Sequence, residues 1–196
     1  MEQQFQYYAF ISYKREDEKW AKWLQDRLRW YKLPSKLCRQ ITRLPKKVWP
    51  VFRDNTDLDS GRLEENIRHE LERSHYLIVI CSPEAARSPW VGKEVKYFAT
   101  LHGADKIIPF VVSGIPYSND IETECIHEQI KAISQEELLA INVREEGIGS
   151  FAMKKKRAFI RVVARLLDIK FNTLWQPYER ILRIRKWSTG IGVVLF

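Results

Sequence analysis

Residues 76–94 read Tyr76-Leu-Ile-Val-Ile-Cys81-Ser-Pro-Glu-Ala-Ala-Arg-Ser-Pro-Trp90-Val-Gly-Lys-Glu94. The first six residues are apolar without alternation. A strand with one wet face alternates apolar and polar positions, so an unbroken run marks a strand covered on both faces, as in a parallel sheet between helices. Pro83 and Pro89 then punctuate the chain. A helix is expected from about Trp90 to Leu101, because proline is tolerated in a first helical turn and not beyond it. Trp90 and Glu94 are four residues apart and fall on one face of that helix. An indole beside a carboxylate, just past the carboxyl end of a buried strand, has chemical use. The ring excludes water and offers a flat surface, and the carboxylate meets developing positive charge.

Working outward, Tyr7-Tyr-Ala-Phe-Ile-Ser-Tyr13 is another short apolar run, closed by Lys14-Arg-Glu-Asp17, and reads as a first buried strand leaving into a polar turn. From Glu18 to Tyr31 the residues Trp20, Trp23, Leu24, Leu28 and Tyr31 recur at helical spacing among charges, with a stop near Pro34. Residues 32–47 read as basic and irregular and lead to a second strand, Val48–Arg53. The loop Asp54–Gly61 is dense in turn formers, and Asp59 or Ser60 is placed to cap a helix over Arg62–Arg73. Beyond the quoted stretch, Ile107–Val112 reads as a fourth strand that Pro109 makes irregular or pushes toward an edge. Glu137–Val143 supplies a shorter fifth strand, and Phe151–Leu167 a last amphipathic helix. Strand and helix thus alternate five times, the pattern of an open parallel α/β sheet with helices on both faces.

The formal net charge of +8 suggests nucleic acid until its distribution is counted. Residues 1–153 hold 22 Lys and Arg against 23 Asp and Glu, a net of −1, whereas residues 154–196 hold 11 against 2, a net of +9. A neutral body argues against nucleic-acid binding. Three scattered cysteines, Cys38, Cys81 and Cys125, read as reduced thiols. No signal peptide opens the chain, so the body is expected in the cytoplasm. Residues 1–167 read as the domain and 168–196 as a basic tail ending in Trp187-Ser-Thr-Gly-Ile-Gly-Val-Val-Leu-Phe196. Two readings of the tail stay open: the first half of a membrane-spanning helix with a basic cytoplasmic flank, anchoring the domain to the inner membrane, or an amphipathic arm docking on a partner. The histidines show no ligand spacing, and the Asp54, Asp57, Asp59 loop lacks the terminal bidentate Glu of a calcium site, so no metal is expected.

In order along the chain, Ala9-Phe-Ile-Ser-Tyr13, Val51-Phe-Arg-Asp54 through Gly61, Leu77-Ile-Val-Ile-Cys-Ser-Pro83, Ser88-Pro-Trp-Val-Gly-Lys-Glu94 and Ile107-Ile-Pro-Phe resemble the segments of a bacterial Toll/interleukin receptor (TIR) domain. The resemblance implies a flavodoxin-like sheet of five parallel strands in the order 2-1-3-4-5. Ligands of such sheets bind outside the carboxyl ends of the strands where the order reverses. TIR domains are of two kinds, scaffolds that assemble through their loops and enzymes that cleave the nicotinamide–ribose bond of NAD+. The enzymes carry a Trp and a Glu at the positions of Trp90 and Glu94. The resemblance therefore implies Glu94 as catalytic carboxylate and Trp90 as a ring lining the site. It further implies Tyr13, Lys14 and Arg15 on the substrate's diphosphate side, and Phe52, Arg53 and Asp54 closing the pocket. Asp57, Leu58 and Gly61 of the loop called BB would then serve assembly with other TIR domains. The products would be nicotinamide and linear or cyclic ADP-ribose, made on assembly, in bacterial defence or signalling. No glycine-rich phosphate fingerprint follows the first strand, so NAD+ would be the substrate and not a resident cofactor. The alternative is a non-enzymatic adaptor acting through TIR–TIR contacts.

Overall fold

The computed structural model describes residues 5–41, 44–45, 47–53, 61–133, 140–144, 149–177 and 179. In chain order its elements are β1 (Tyr7–Ser12), α1 (Glu18–Trp30), α2 (Ser35–Gln40), β2 (Val51–Arg53), α3 (Gly61–Glu72), β3 (Ser74–Cys81), α4 (Pro83–Ala86), α5 (Pro89–His102), β4 (Ile107–Val111), α6 (Glu128–Ile133), β5 (Ile141–Asn142) and α7 (Phe151–Leu166). All strand pairs are parallel, and the sheet runs β2-β1-β3-β4-β5. That is the expected order, with the reversal between β1 and β3.

The unbroken apolar run of β3 is explained by two cores, one on each face. Tyr76, Ile78 and Ile80 point into a core shared with Leu24 and Leu28 of α1 and with Phe159, Val162 and Val163 of α7. Leu77, Val79 and Cys81 point the other way, against Ile67 and Leu71 of α3 and Val91, Val95 and Phe98 of α5. β1 obeys the same period of two, with Ala9 and Ile11 on the α1/α7 face and Phe10 on the α3/α5 face. Truncating a ring such as fully buried Phe98 in a core of this kind costs about 3–5 kcal/mol.

Pro109 lies inside the sheet and not at an edge, because β4 is flanked by β3 and β5 and all five of its residues are buried. The physical reason is parity. Val112 N–H donates to Cys81 on the β3 side and Val111 C=O accepts from Val143 on the β5 side, so position 109 faces β5 as 111 does. Pairing with β5 begins only at Phe110 opposite Ile141, so the missing N–H of Pro109 breaks no ladder bond.

Other expectations need adjustment. The second strand is confined to Val51–Arg53, and the stretch read as irregular contains α2. The fifth strand is two residues, with 134–139 outside the described set. Beyond Leu167, Leu174 and Trp175 are 3% and 5% exposed in the α1/α7 core. The Arg157 guanidinium stacks over Phe171 and Trp175 at 5.7 and 5.6 Å, fixing helical residues 171–177 to α7. Among the described residues no helix is long and apolar enough to cross a membrane, and residues 180–196, which carry the anchor reading, lie outside them.

Candidate functional site

Among the described residues, Glu94 is the deepest charged side chain at the carboxyl edge of the sheet, 5% exposed. A carboxylate removed from water needs a donor, and Ser12 supplies one: its Oγ–H donates to Glu94 Oε2. Ser12 is the last residue of β1, and alternation from Phe10 points it at the α3/α5 face. It lies in register with Val79 of β3, so the bond spans the point where strand order reverses.

The helix is started where the chemistry needs it. Ser88 Oγ accepts from Val91 N–H at 3.4 Å, and Pro89 supplies a preset first-turn φ. Trp90 therefore falls in the first turn of α5 and Glu94 one turn later. Gly92, between them, lets α5 sit tight on α6, since a Cβ there would meet His127 Cε1 at 2.5 Å. His127 Nδ1 accepts from Gln129 N–H at 3.0 Å, and burial holds its imidazole pKa below the ordinary value. A second tie joins the loops that follow β1 and β3. Ser82 Oγ donates to Asp17 while accepting Ala85 N–H at 3.0 Å as the cap of α4. Asp17 is 8% exposed, and burial raises its carboxyl pKa above the usual value.

A cavity of about 290 Å3 opens between α3 and α5, and both Trp90 and Glu94 line it. A larger hollow of about 630 Å3 between α5 and α6 touches neither of them, so size alone does not locate the site. Phe52 of β2 stacks on Phe10, ring centroids 5.2 Å apart, on the same face as Glu94.

The expected set is nevertheless divided. Tyr13 and Arg53 belong to the opposite face, beside α1. Arg53 Nη1 donates to Tyr13 OH at 3.1 Å and to Glu18 Oε1 at 3.2 Å, and its Nε donates to Gln25 Oε1 at 3.2 Å. Arg53 thus braces β2 against α1 and does not reach the Glu94 cavity. Lys14 turns the chain into the 3-10 turn Arg15–Asp17 by accepting Asp17 N–H at 2.8 Å, and Arg15 is exposed. Neither lines the cavity. Asp54, Asp57 and Leu58 lie outside the described residues, and Gly61 opens α3.

Ser12, Asp17, Ser82, Gly92 and His127 were not singled out from sequence. For Ser12 a signal existed: a hydroxyl in phase with Phe10 at the end of a buried strand needs a polar partner. Asp17, inside a run of charges, reads as a solvated turn and is in fact buried.

Residues 9–146 match the family model of the TIR domain. The chain is 36% identical over 110 residues to a protein named NAD(+) hydrolase ApTIR from Actinoplanes sp.. That match covers 55% of this chain and 14% of the relative, so the chain spans a small part of the relative's length. A TIR-domain chain from the activated Roq1 resistosome recognising the pathogen effector XopQ superposes with a TM-score of 0.52 at 14% identity. The superposition covers 79% of this chain and 98% of the other, which speaks to the fold alone. With five strands in the expected order and the family match running from β1 past β5, the chain belongs to the TIR domain family.

Proposed function

We propose that this chain cleaves the nicotinamide–ribose bond of NAD+, with Glu94 as the catalytic carboxylate and Trp90 as a ring bordering the reacting sugar. The observation that carries the proposal is a carboxylate almost wholly withdrawn from water, accepting from the Ser12 hydroxyl and lining a cavity beside an indole. The likeness to a protein named as an NAD+ hydrolase supports it.

In the reaction the C1′–N bond breaks and its electron pair goes to nicotinamide, neutralising the pyridinium. Positive charge develops on C1′ and the ring oxygen, and an anion nearby stabilises it. Water then adds at C1′ and releases a proton, giving ADP-ribose; an adenine nitrogen adding instead gives the cyclic product. Ser12 orients Glu94 and does not touch substrate. The active form is an assembly of several copies, and the setting is bacterial defence or signalling.

The test is nicotinamide release from NAD+ by concentrated protein, compared with Glu94→Gln. The substitution is expected to lower the rate about 10²–10³-fold, the range for removal of one preorganised electrostatic partner. Equal release by both proteins, or none at any concentration, refutes the proposal and leaves the adaptor reading.

A further inference from the structure

We propose that the outer surface of the α1/α2/α7 layer docks on an anionic lipid bilayer, leaving the cavity of Trp90 and Glu94 on the far side of the sheet. That surface lies opposite the candidate site, and its docking is independent of the chemistry of Glu94.

Charge is divided unevenly between the two helical layers. Helices α1, α2 and α7, which cover one face of the sheet, hold 12 Lys and Arg against two Asp and Glu, a net of +10. Helices α3, α5 and α6, which cover the other, hold five against six, a net of −1. The core decides which of these charges face outward. With Ala21, Leu24 and Leu28 of α1 buried, the helical period turns Lys19, Lys22 and Arg29 toward solvent, and all three are exposed. Asp26 is the carboxylate among them, while Glu18 at the start of the helix accepts from Arg53. Arg165 near the end of α7 and Lys170 just beyond it are exposed as well, with Asp168 between them. Lys155 lies where the two helices meet, its Nζ 4.4 and 4.2 Å from the ring centroids of Trp20 and Trp23, and joins them into one cationic surface.

Exposed rings favour a bilayer over other polyanions. Trp30 is 74% exposed and Phe151 55%. Phe151 meets Trp20 edge-on, centroids 6.5 Å apart, so the two exposed rings mark opposite ends of α1, about 15 Å apart along its axis. Large rings left in water recover free energy at a membrane interface, where they settle at headgroup depth while neighbouring Lys and Arg reach lipid phosphates. Arg29 brings the two elements together at one end, its guanidinium 5.4 Å from the Trp30 centroid and 5.7 Å from that of Trp49. Duplex DNA would use the cations, but its bases are stacked inside a rod and give two separated rings nothing to enter. A bilayer is broad and receives both. Past the described residues the sequence keeps this composition, with Arg180, Arg183, Arg185 and Lys186 ahead of Trp187.

The test is cosedimentation of the whole chain with vesicles of phosphatidylcholine containing about one-third phosphatidylglycerol. Wild type is expected to bind them, less tightly as salt rises, and not to bind vesicles of phosphatidylcholine alone. Each cation near an anionic leaflet strengthens binding about fivefold, so Lys19→Glu/Lys22→Glu/Arg29→Glu should weaken it by more than about tenfold. Arg68→Glu/Lys93→Glu/Lys96→Glu makes the same change of charge on the opposite layer and should stay within about threefold of wild type. Trp30→Ser should weaken binding about threefold or more and leave its salt dependence unchanged. Should the α1 variant fail to fold, Arg165→Glu/Lys170→Glu reads the same surface from α7, with a loss of at least about fivefold expected. Several results overturn the proposal: no binding by wild type, equal binding to neutral vesicles, equal losses from the two layers, or a loss seen only with Arg180→Glu/Arg183→Glu/Arg185→Glu. Duplex DNA bound more tightly than the vesicles at the same salt, with the same dependence on the α1 cations, overturns it too and makes the surface a nucleic-acid one.

Discussion

Ser12 and Tyr13 are neighbours in the chain, as are Phe52 and Arg53, yet each pair is split between opposite faces of the sheet. Ser12 and Phe52 join Trp90 and Glu94 on the α3/α5 face, while Tyr13 and Arg53 join Gln25 and Glu18 beside α1. On the first face a carboxylate and three cations line a cavity. On the second, donors and acceptors close on one another. A motif that is contiguous in sequence therefore contributes chemistry to one side and bracing to the other. The strand period of two decides which residue does which.

The largest effect expected from disturbing this division is at Ser12. A hydrogen bond to a charged group contributes about 1.5–3 kcal/mol, and part of it acts on the orientation of Glu94. Ser12→Ala should slow nicotinamide release about tenfold. Its hydroxyl donates to the carboxylate and orients it, so the loss should fall on kcat and leave KM near the wild-type value. An unchanged kcat per folded molecule, with stability alone reduced, would make Ser12 a packing residue only.

Arg53 probes the other side. Arg53→Ala removes bonds to Gln25, Tyr13 and Glu18, of which the last is exposed and contributes little. The expected cost is about 1 kcal/mol in urea unfolding, with nicotinamide release per folded molecule within twofold of wild type. A fall in kcat approaching that of Glu94→Gln would erase the distinction between the two faces and return Arg53 to the substrate.

How legible this was in sequence depended on how far each element lies from a period boundary. The β3 run announced its own burial, and the helix bearing Trp90 and Glu94 was marked by Pro83 and Pro89. Assigning Tyr13 and Arg53 required knowing where β1 and β2 end, because one residue of register moves a side chain to the other face. The contiguous motif hid that step. α2 and α6, six residues each, carry too little periodicity to be read and are held by tertiary packing. Pro109 was misplaced because composition does not reveal where a neighbouring strand begins. Leu174 and Trp175 read as the start of a tail, since the charge count rises across them, whereas their burial depends on α7 and its stacked Arg157.

The smallest effect concerns Asp17, which ties the β1 loop to the β3 loop at the same edge through Ser82. Burial raises its carboxyl pKa, Glu84 and Glu16 raise it further, and the Ser82 hydroxyl opposes them. A carboxyl raised in the folded state holds its proton more tightly there than in the unfolded chain. Its contribution to stability is therefore fully present below the unfolded value, about 4, and is lost as pH rises through the folded value. At neutral pH the charged group costs stability. Asp17→Asn keeps an acceptor for the Ser82 hydroxyl and carries no charge, so it should stabilise by a few tenths to about 1 kcal/mol at pH 7. That is a rise of up to about 2–4 °C in Tm. The gain should fade below pH 4, where the wild-type carboxyl is itself protonated. If the Asp17→Asn variant melts lower than wild type at pH 7, the charge-assisted bond to Ser82 outweighs the burial it requires. The tie between the two loops would then depend on a charge, as the Glu94 face does.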